Sequence, residues 1–272
     1  MESYFFIPGT KLRKYRDIQK LNLSQIIIDL EDSVKVSDRN QILRELISNN
    51  DFKDLYVRIP LYAVTGDIDT SFFINLYKNG FRKFIFPKIQ QGADFNKVIS
   101  EDIFEGLQIV LLVETSRFFL EVQEVLLANN NVFSGIGIGS HDFMAEIGGV
   151  HDLKNLEYVR QHILYLARMI NIKAIDIASM ELVNFSSLKE EILDGLHKGY
   201  DAKFFIHPWQ ISVFKSISLY SEQEIKWALN VQNELNKVKS EEEFNPIVVD
   251  GQVVERPHLN KAKKIIAYYE SK

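Results

Sequence analysis

Residues 26–34 read IIIDLEDSV. Three isoleucines run into Asp29, and Leu30 is followed by Glu31 and Asp32. A segment with the apolar continuity of a buried strand therefore ends in a cluster of carboxylates. Burying such groups unpaired is costly. Either this strand end faces solvent, or something positive sits on it.

Seven further runs share its character: SYFFIP (3–8), LYVRIP (55–60), KFIFPK (83–88), QIVLLVE (108–114), NVFSGIG (131–137), IKAIDI (172–177) and KFFIHP (203–208). Most are near-continuous in hydrophobicity, the pattern of strands covered on both faces. Amphipathic stretches lie between them. Leu12, Tyr15, Ile18 and Leu21 predict a helix over 11–21, and Ile42, Leu43, Leu46 and Ile47 one over 37–47 with Ser37 as its N-cap. Further helices are expected over 69–80, 116–128, 152–170 and 186–199, the first closed by Asn79-Gly80 and the last by Gly199. Pro257 stands near the start of a last helix in the tail.

Eight strands separated by helices predict an α/β fold, a single (β/α)8 TIM barrel over 1–239. Residues 240–272 are expected to form a C-terminal lid, arm or helical extension. An open doubly-wound sheet is the structural alternative. The chain length favours the barrel, and PGTK follows the first strand where a dinucleotide fold would carry Gly-x-Gly-x-x-Gly.

Composition narrows the function. The chain has 272 residues, 46% hydrophobic and 25% charged, with a net charge of −5 and no long basic run. Nucleic acid and anionic membrane are therefore not expected as partners. The absence of cysteine excludes disulfides, thiolate catalysis and cysteine metal sites. MESYFFIPG lacks the basic start and long apolar core of a signal peptide, so a cytoplasmic protein is expected.

Barrel enzymes carry their chemistry at the C-terminal ends of strands. Those ends hold Asp29, Glu31 and Asp32, then Arg58, Lys88, Glu114, Asp142, Asp176 and His207. Glu114, after the apolar IVLLV, is either a metal ligand or a rim carboxylate paired to a base. Asp142 follows Gly135, Gly137 and Gly139, which would let backbone approach a ligand, or it caps a tight turn. Two carboxylates suit Mg²⁺ or Mn²⁺ better than zinc. Arg58 can clamp a substrate carboxylate or neutralise Asp29 or Glu31, and Lys88 can do either less specifically. Thr10, Lys11, Arg13 and Lys14 can receive a phosphate at a helix N-terminus or form a solvated basic face. His141 can touch substrate or reach solvent.

In that order the landmarks FFIPGTK (5–11), IIIDLEDSV, YVRIP (56–60), FIFPKIQ (84–90), VLLVETSR (110–117), GIGSHDFMAEIGG (137–149), GYDAKFFIHPWQI (199–211) and VVDGQVVERPHLNKAKKII (248–266) are similar to those of a known family. The chain resembles the citrate lyase beta-subunit-like branch of the HpcH/HpaI aldolases, which includes malyl-CoA lyases and related thioesterases. The resemblance implies a Mg²⁺-dependent carbon–carbon lyase acting on a 3-hydroxy or 2-oxo carboxylate, including CoA thioesters. It also allows an acyl-CoA thioesterase, or a non-catalytic accessory subunit. It implies metal ligation by Glu114 and Asp142, and substrate capture by Arg58 supported by Asp29, Glu31 and Asp32. Thr10, Lys11 and Lys14 would meet the CoA diphosphate, and Lys88, Gly139 and His141 would border the ligand. A trimer or hexamer is implied, in which Glu255 reaches a neighbouring site. The chain departs from the branch at His141, where Glu is usual, at Pro60 where Asn is usual, at Gln90, and at Glu255 where Asp is usual.

Overall fold

The computed structural model describes residues 1–99, 105–237 and 245–270. Eight parallel strands form a closed barrel in sequence order: β1 (Glu2–Pro8), β2 (Gln25–Asp29), β3 (Tyr56–Arg58), β4 (Lys83–Phe86), β5 (Gln108–Val113), β6 (Phe133–Ile138), β7 (Lys173–Asp176) and β8 (Ala202–Phe205). β8 returns to pair with β1, which removes any free edge. The expected eight-stranded barrel is therefore the observed one. Helices α1 (Tyr15–Gln19), α2 (Val36–Ser48), α3 (Ser71–Lys78), α4 (Gly92–Val98), α5 (Ser116–Ala128), α6 (Ser140–Glu146), α7 (Glu157–Met169), α8 (Phe185–Lys198) and α9 (Pro208–Ser216) follow the strands.

The period of two along each strand sorts the two faces. Tyr4, Ile27, Tyr56, Ile85, Val110, Leu112, Ile175, Ala202 and Phe204 fill the barrel interior. The alternate residues pack on the helices. Phe84 and Phe86 of β4, for example, meet Phe73 of α3 edge-on, with ring centroids 5.0 and 5.4 Å away. Both faces are thus apolar, which explains the continuous runs in the sequence.

Three local expectations differ. Residues 11–21 do not form one helix: a 3-10 turn over Gly9–Lys14, non-helical at Lys11, precedes the short α1. Ser37 lies inside α2, whose cap position is Lys35, and the Ser37 hydroxyl donates to Asp38 instead. The amphipathic 152–170 stretch becomes helical only from Glu157.

The chain divides into two compact units, Met1–Lys215 and Ser216–Lys272. The expected boundary between 239 and 240, and the first residues of the expected arm, 240–244, which include three glutamates, fall outside the described residues. The second unit contains α10 (Glu222–Leu235), a hairpin of β9 (Ile247–Val249) and β10 (Gln252–Val254), and α11 (Arg256–Glu270). α10 begins with a reciprocal capping box, in which the Ser221 hydroxyl accepts from Glu224 N–H and the Glu224 carboxylate accepts from Ser221 N–H. Ala228, Val231, Val249, Val254, Leu259 and Ile265 make its own small core. Among the described residues no helix is long and apolar enough to cross a membrane.

Candidate active site

Parity places the charges. Ile27 faces the barrel interior, so Asp29 faces the same way at the end of β2; Tyr56 does the same for Arg58 on β3. Asp29 and Arg58 are register partners. The guanidinium forks onto the carboxylate, with Nε–Oδ1 and Nη2–Oδ2 both at 2.7 Å. Glu31 and Ser33 donate their backbone N–H groups to the same carboxylate, at 3.0 and 3.2 Å. Burial alone would raise the Asp29 carboxyl; the bonds and charge of Arg58, with the Ser33 side chain and the Glu31 N–H, more than offset it and hold it below the usual range. The positive partner demanded by the IIIDLEDSV strand is thus Arg58. Its Nη1 remains 3.7 Å from Glu31 and 3.8 Å from Asp32, and its guanidinium lies 5.0 Å from the centre of the Phe6 ring.

Lys88 links the rest of the acids. It holds a positive φ of 52°, an uncommon state for a side-chain-bearing residue. In that conformation its backbone N–H donates to Glu114 Oε2 at 2.6 Å, and its ammonium reaches Asp32 at 2.5 Å and Glu31 at 2.9 Å. Asp142 is 3.9 Å from the same nitrogen. Burial pushes Glu31 upward, with the neighbouring Asp32 adding to it. Glu114 is only 3% exposed, and burial pushes its carboxyl up to about 8, Arg58 opposing this and Asp142 adding to it.

All of these groups but Glu31 and Lys88 open onto a cavity of about 380 Å³ at the C-terminal end of the barrel. Asp29, Asp32, Arg58, Glu114, Gly139, His141 and Asp142 line it, so the structure brings together most of the residues expected there. A side chain at Gly139 would collide with Glu114: its Cβ would stand 2.2 Å from Oε1. Glycine at this position is what admits the carboxylate. His141 stacks on His151 with centroids 3.8 Å and planes 5° apart, and His151 shares a 2.9 Å hydrogen bond with the Ser140 hydroxyl.

Other candidates lie elsewhere. Thr10, Lys11 and Lys14 are exposed on the 3-10 turn after β1 and do not line the cavity; that turn is not the α-helix N-terminus expected for phosphate. Lys88 acts through its bonds to the acids without lining the cavity. Asp176 points away from the rim. Ile175 takes the interior position, so Asp176 turns out to Arg160 of α7, which forks onto it at 3.0 and 2.9 Å. His207 Nδ1 accepts the Trp209 N–H at 3.2 Å, a local bend contact at the start of α9. Glu255 is exposed in the second unit, where its N–H donates to His258 Nδ1. Sequence reasoning missed the apolar lining, Phe6, Pro8, Ala178, Met180, Phe204 and Ile206. For the strand residues the signal was available: Phe6 shares parity with Tyr4, and Phe204 with Ala202.

The site fits a hard divalent cation. Glu114 and Asp142 face one cavity, and Glu114 is a buried carboxylate whose charged form burial disfavours until a cation offsets it. Among the described residues no group of three or more His, Asp or Glu side chains could hold an ion by itself. A two-carboxylate site suits Mg²⁺, which is usually held by one or two carboxylates and keeps several waters.

A family model described as HpcH/HpaI aldolase/citrate lyase matches residues 2–208. The chain belongs to that family. HpcH/HpaI relatives include the (3S)-malyl-CoA thioesterase of Cereibacter sphaeroides, 26% identical across 99% of this chain and 94% of the relative. Another is the mitochondrial citramalyl-CoA lyase of Homo sapiens, 22% identical across 96% of this chain and 83% of that one. The protein CitE of Mycobacterium tuberculosis, solved with magnesium, acetoacetate and coenzyme A, superposes with a TM-score of 0.80 at 22% identity, covering 98% of this chain and 97% of its own. The HpcH/HpaI barrel is thus matched over nearly its full length.

Proposed function

We propose that the protein is a Mg²⁺-dependent carbon–carbon lyase of the citrate lyase beta-subunit-like type, cleaving a 3-hydroxy or 2-oxo carboxylate, including its CoA thioester. The observation that carries this reading is the shared cavity that Arg58, Glu114 and Asp142 line. Glu114 and Asp142 would hold the ion. When bound, it supplies Lewis-acid polarisation of a substrate oxygen and offsets negative charge developing in cleavage.

The chain's own residues do the rest. Arg58 binds the substrate carboxylate or carbonyl oxygen through Nη1, since its other two nitrogens, Nε and Nη2, are engaged on Asp29. Asp29 sets the plane of the guanidinium. Glu31 and Asp32 hold Lys88, whose N–H in turn orients Glu114. The apolar residues on the opposite side exclude water from the carbon being released. The substrate hydroxyl must lose a proton. We assign that step to the exposed Glu255 of a second copy in a homo-oligomer, a trimer or hexamer. The basic turn at Thr10, Lys11 and Lys14 would meet the diphosphate of a CoA ester outside the cavity.

Thioester hydrolysis at the same site is the second reading, favoured by the relative named as a malyl-CoA thioesterase. Product analysis separates the two. Purified protein with Mg²⁺ is incubated with 3-hydroxyacyl-CoAs and free 2-hydroxy and 2-oxo acids, and products are read by mass spectrometry. A lyase yields two carbon fragments with the thioester intact on one. A thioesterase yields free CoA and an uncleaved acid. Turnover that survives both EDTA and Glu114→Ala would sink the metal-dependent mechanism.

A further inference from the structure

The cavity has two unlike halves. β2, β3 and β5, with the residues just after them, and α6 supply its charged groups. β7, β8 and β1 supply Ala178, Met180, Phe204, Ile206, Phe6 and Pro8. Among the described lining residues Arg58 is the single Lys or Arg, and it belongs to the charged half. Lys203 of β8 stands behind the apolar half but turns outward: its ammonium donates to Ile177 O at 2.7 Å and pairs with Glu191 at 2.6 Å. Arg58 borders this half only at Phe6, where its guanidinium lies 5.0 Å from the ring centre. Beside Ala178, Met180, Phe204 and Ile206, among the described lining residues, a second carboxylate on the substrate would meet no cation and would lose its hydration without compensation.

The apolar half is held in shape. Gln210 of α9 is fully buried and uses its whole amide. Oε1 accepts from the backbone N–H of Ile206 at 2.9 Å and of His207 at 3.3 Å. Nε2 donates to Ser179 O at 2.8 Å and Glu181 O at 3.0 Å. One amide therefore ties the loop after β7, which carries Ala178 and Met180, to the loop after β8, which carries Ile206.

We propose that β7, β8 and β1 form an alkyl-accepting wall, positioned by Gln210, that selects alkyl-substituted 2-oxo or 3-hydroxy acids over those bearing a second carboxylate. The substrate class rests on the lyase reading; the wall itself rests on the cavity and the Gln210 bonds. Met180 and Ile206 contact the substituent, and Gln210 is a positioning residue.

Full-length protein with Mg²⁺ is titrated calorimetrically with glyoxylate, pyruvate, 2-oxobutyrate and oxaloacetate. These share a head group and differ in what they present to the wall. Affinity rises about fourfold per added methyl or methylene, and oxaloacetate binds at least about tenfold more weakly than 2-oxobutyrate. Met180→Lys, at a position 55% exposed and therefore tolerant, puts a cation on the wall and reverses the order of those two. Gln210→Met removes all four bonds and collapses the ratio between 2-oxobutyrate and glyoxylate, a selectivity change that a simple loss of stability would not produce. Should Gln210→Met fail to fold, Met180→Lys decides. A flat wild-type series, or an order unchanged by Met180→Lys, overturns the proposal. Cleavage activity with a flat series overturns the wall and leaves the lyase reading. The alkyl order without cleavage overturns the lyase reading and leaves the wall.

Discussion

Asp29 ends β2 and Asp176 ends β7, and each is gripped by a forked arginine. Only one of them is at the candidate site. Asp29 shares a strand face with the interior residue Ile27 and opens onto the cavity. Asp176 follows the interior residue Ile175, so it turns into the helix layer, where it is wholly buried beside Arg160, Lys203 and Gly195. Glycine makes room in both places: a Cβ at Gly139 would strike Glu114, and one at Gly195 would strike Asp176, each at 2.2 Å. The same residue types build a reactive rim in one place and an internal brace in the other. One residue of register decides which.

Substitutions can break this comparison from either side. Glu114→Ala has the largest expected effect, a fall in turnover of at least about 10³-fold with loss of metal binding, measured by steady-state kinetics and calorimetry. Gly139→Ala comes next. Its methyl must displace the Glu114 carboxylate, and a shift of that kind costs about 10²-fold in kcat, with folding checked by circular dichroism. Asp29→Asn keeps the shape but loosens the Arg58 plane, for an expected loss of roughly 10–100-fold in kcat.

Asp176→Asn should do the opposite. It removes one of the two carboxylates on the buried Arg160, leaving Asp194 at 2.6 Å, so the loss should approach but not exceed the roughly 3–5 kcal/mol of breaking a buried pair outright. Thermal unfolding should register that loss while kcat of the folded fraction stays close to wild type. The smallest effect is on acid stability. The folded Asp29 carboxyl lies below its unfolded value, so its contribution is fully present above the unfolded value and is lost as pH falls through the folded one. Asp29→Asn should flatten the acid limb of the stability curve below about pH 4, read by denaturant titration at a series of pH values.

Most of the barrel was legible in the sequence because both strand faces are apolar, which makes the strands continuous runs bounded by turns. The acids and Arg58 were legible because charge at the end of such a run has few places to go. Asp176 was misplaced at the rim because strand ends were read without parity. The apolar wall was missed for a related reason: Phe204 and Ile206 look like ordinary core until their alignment with the interior residue Ala202 is traced. The split of 11–21 into a 3-10 turn and a short helix was invisible to periodicity, since Leu12, Tyr15 and Ile18 are buried in either form. α10 was missed although Ser221 and Glu224 carry the capping-box spacing.

The most direct test of the account is the stoichiometry of Mn²⁺ binding, read by electron paramagnetic resonance, in wild type, Glu114→Ala and Asp176→Asn. The result expected is about one ion per chain in wild type and in folded Asp176→Asn, and none in Glu114→Ala. Binding that survives Glu114→Ala, or that disappears in folded Asp176→Asn, would contradict it.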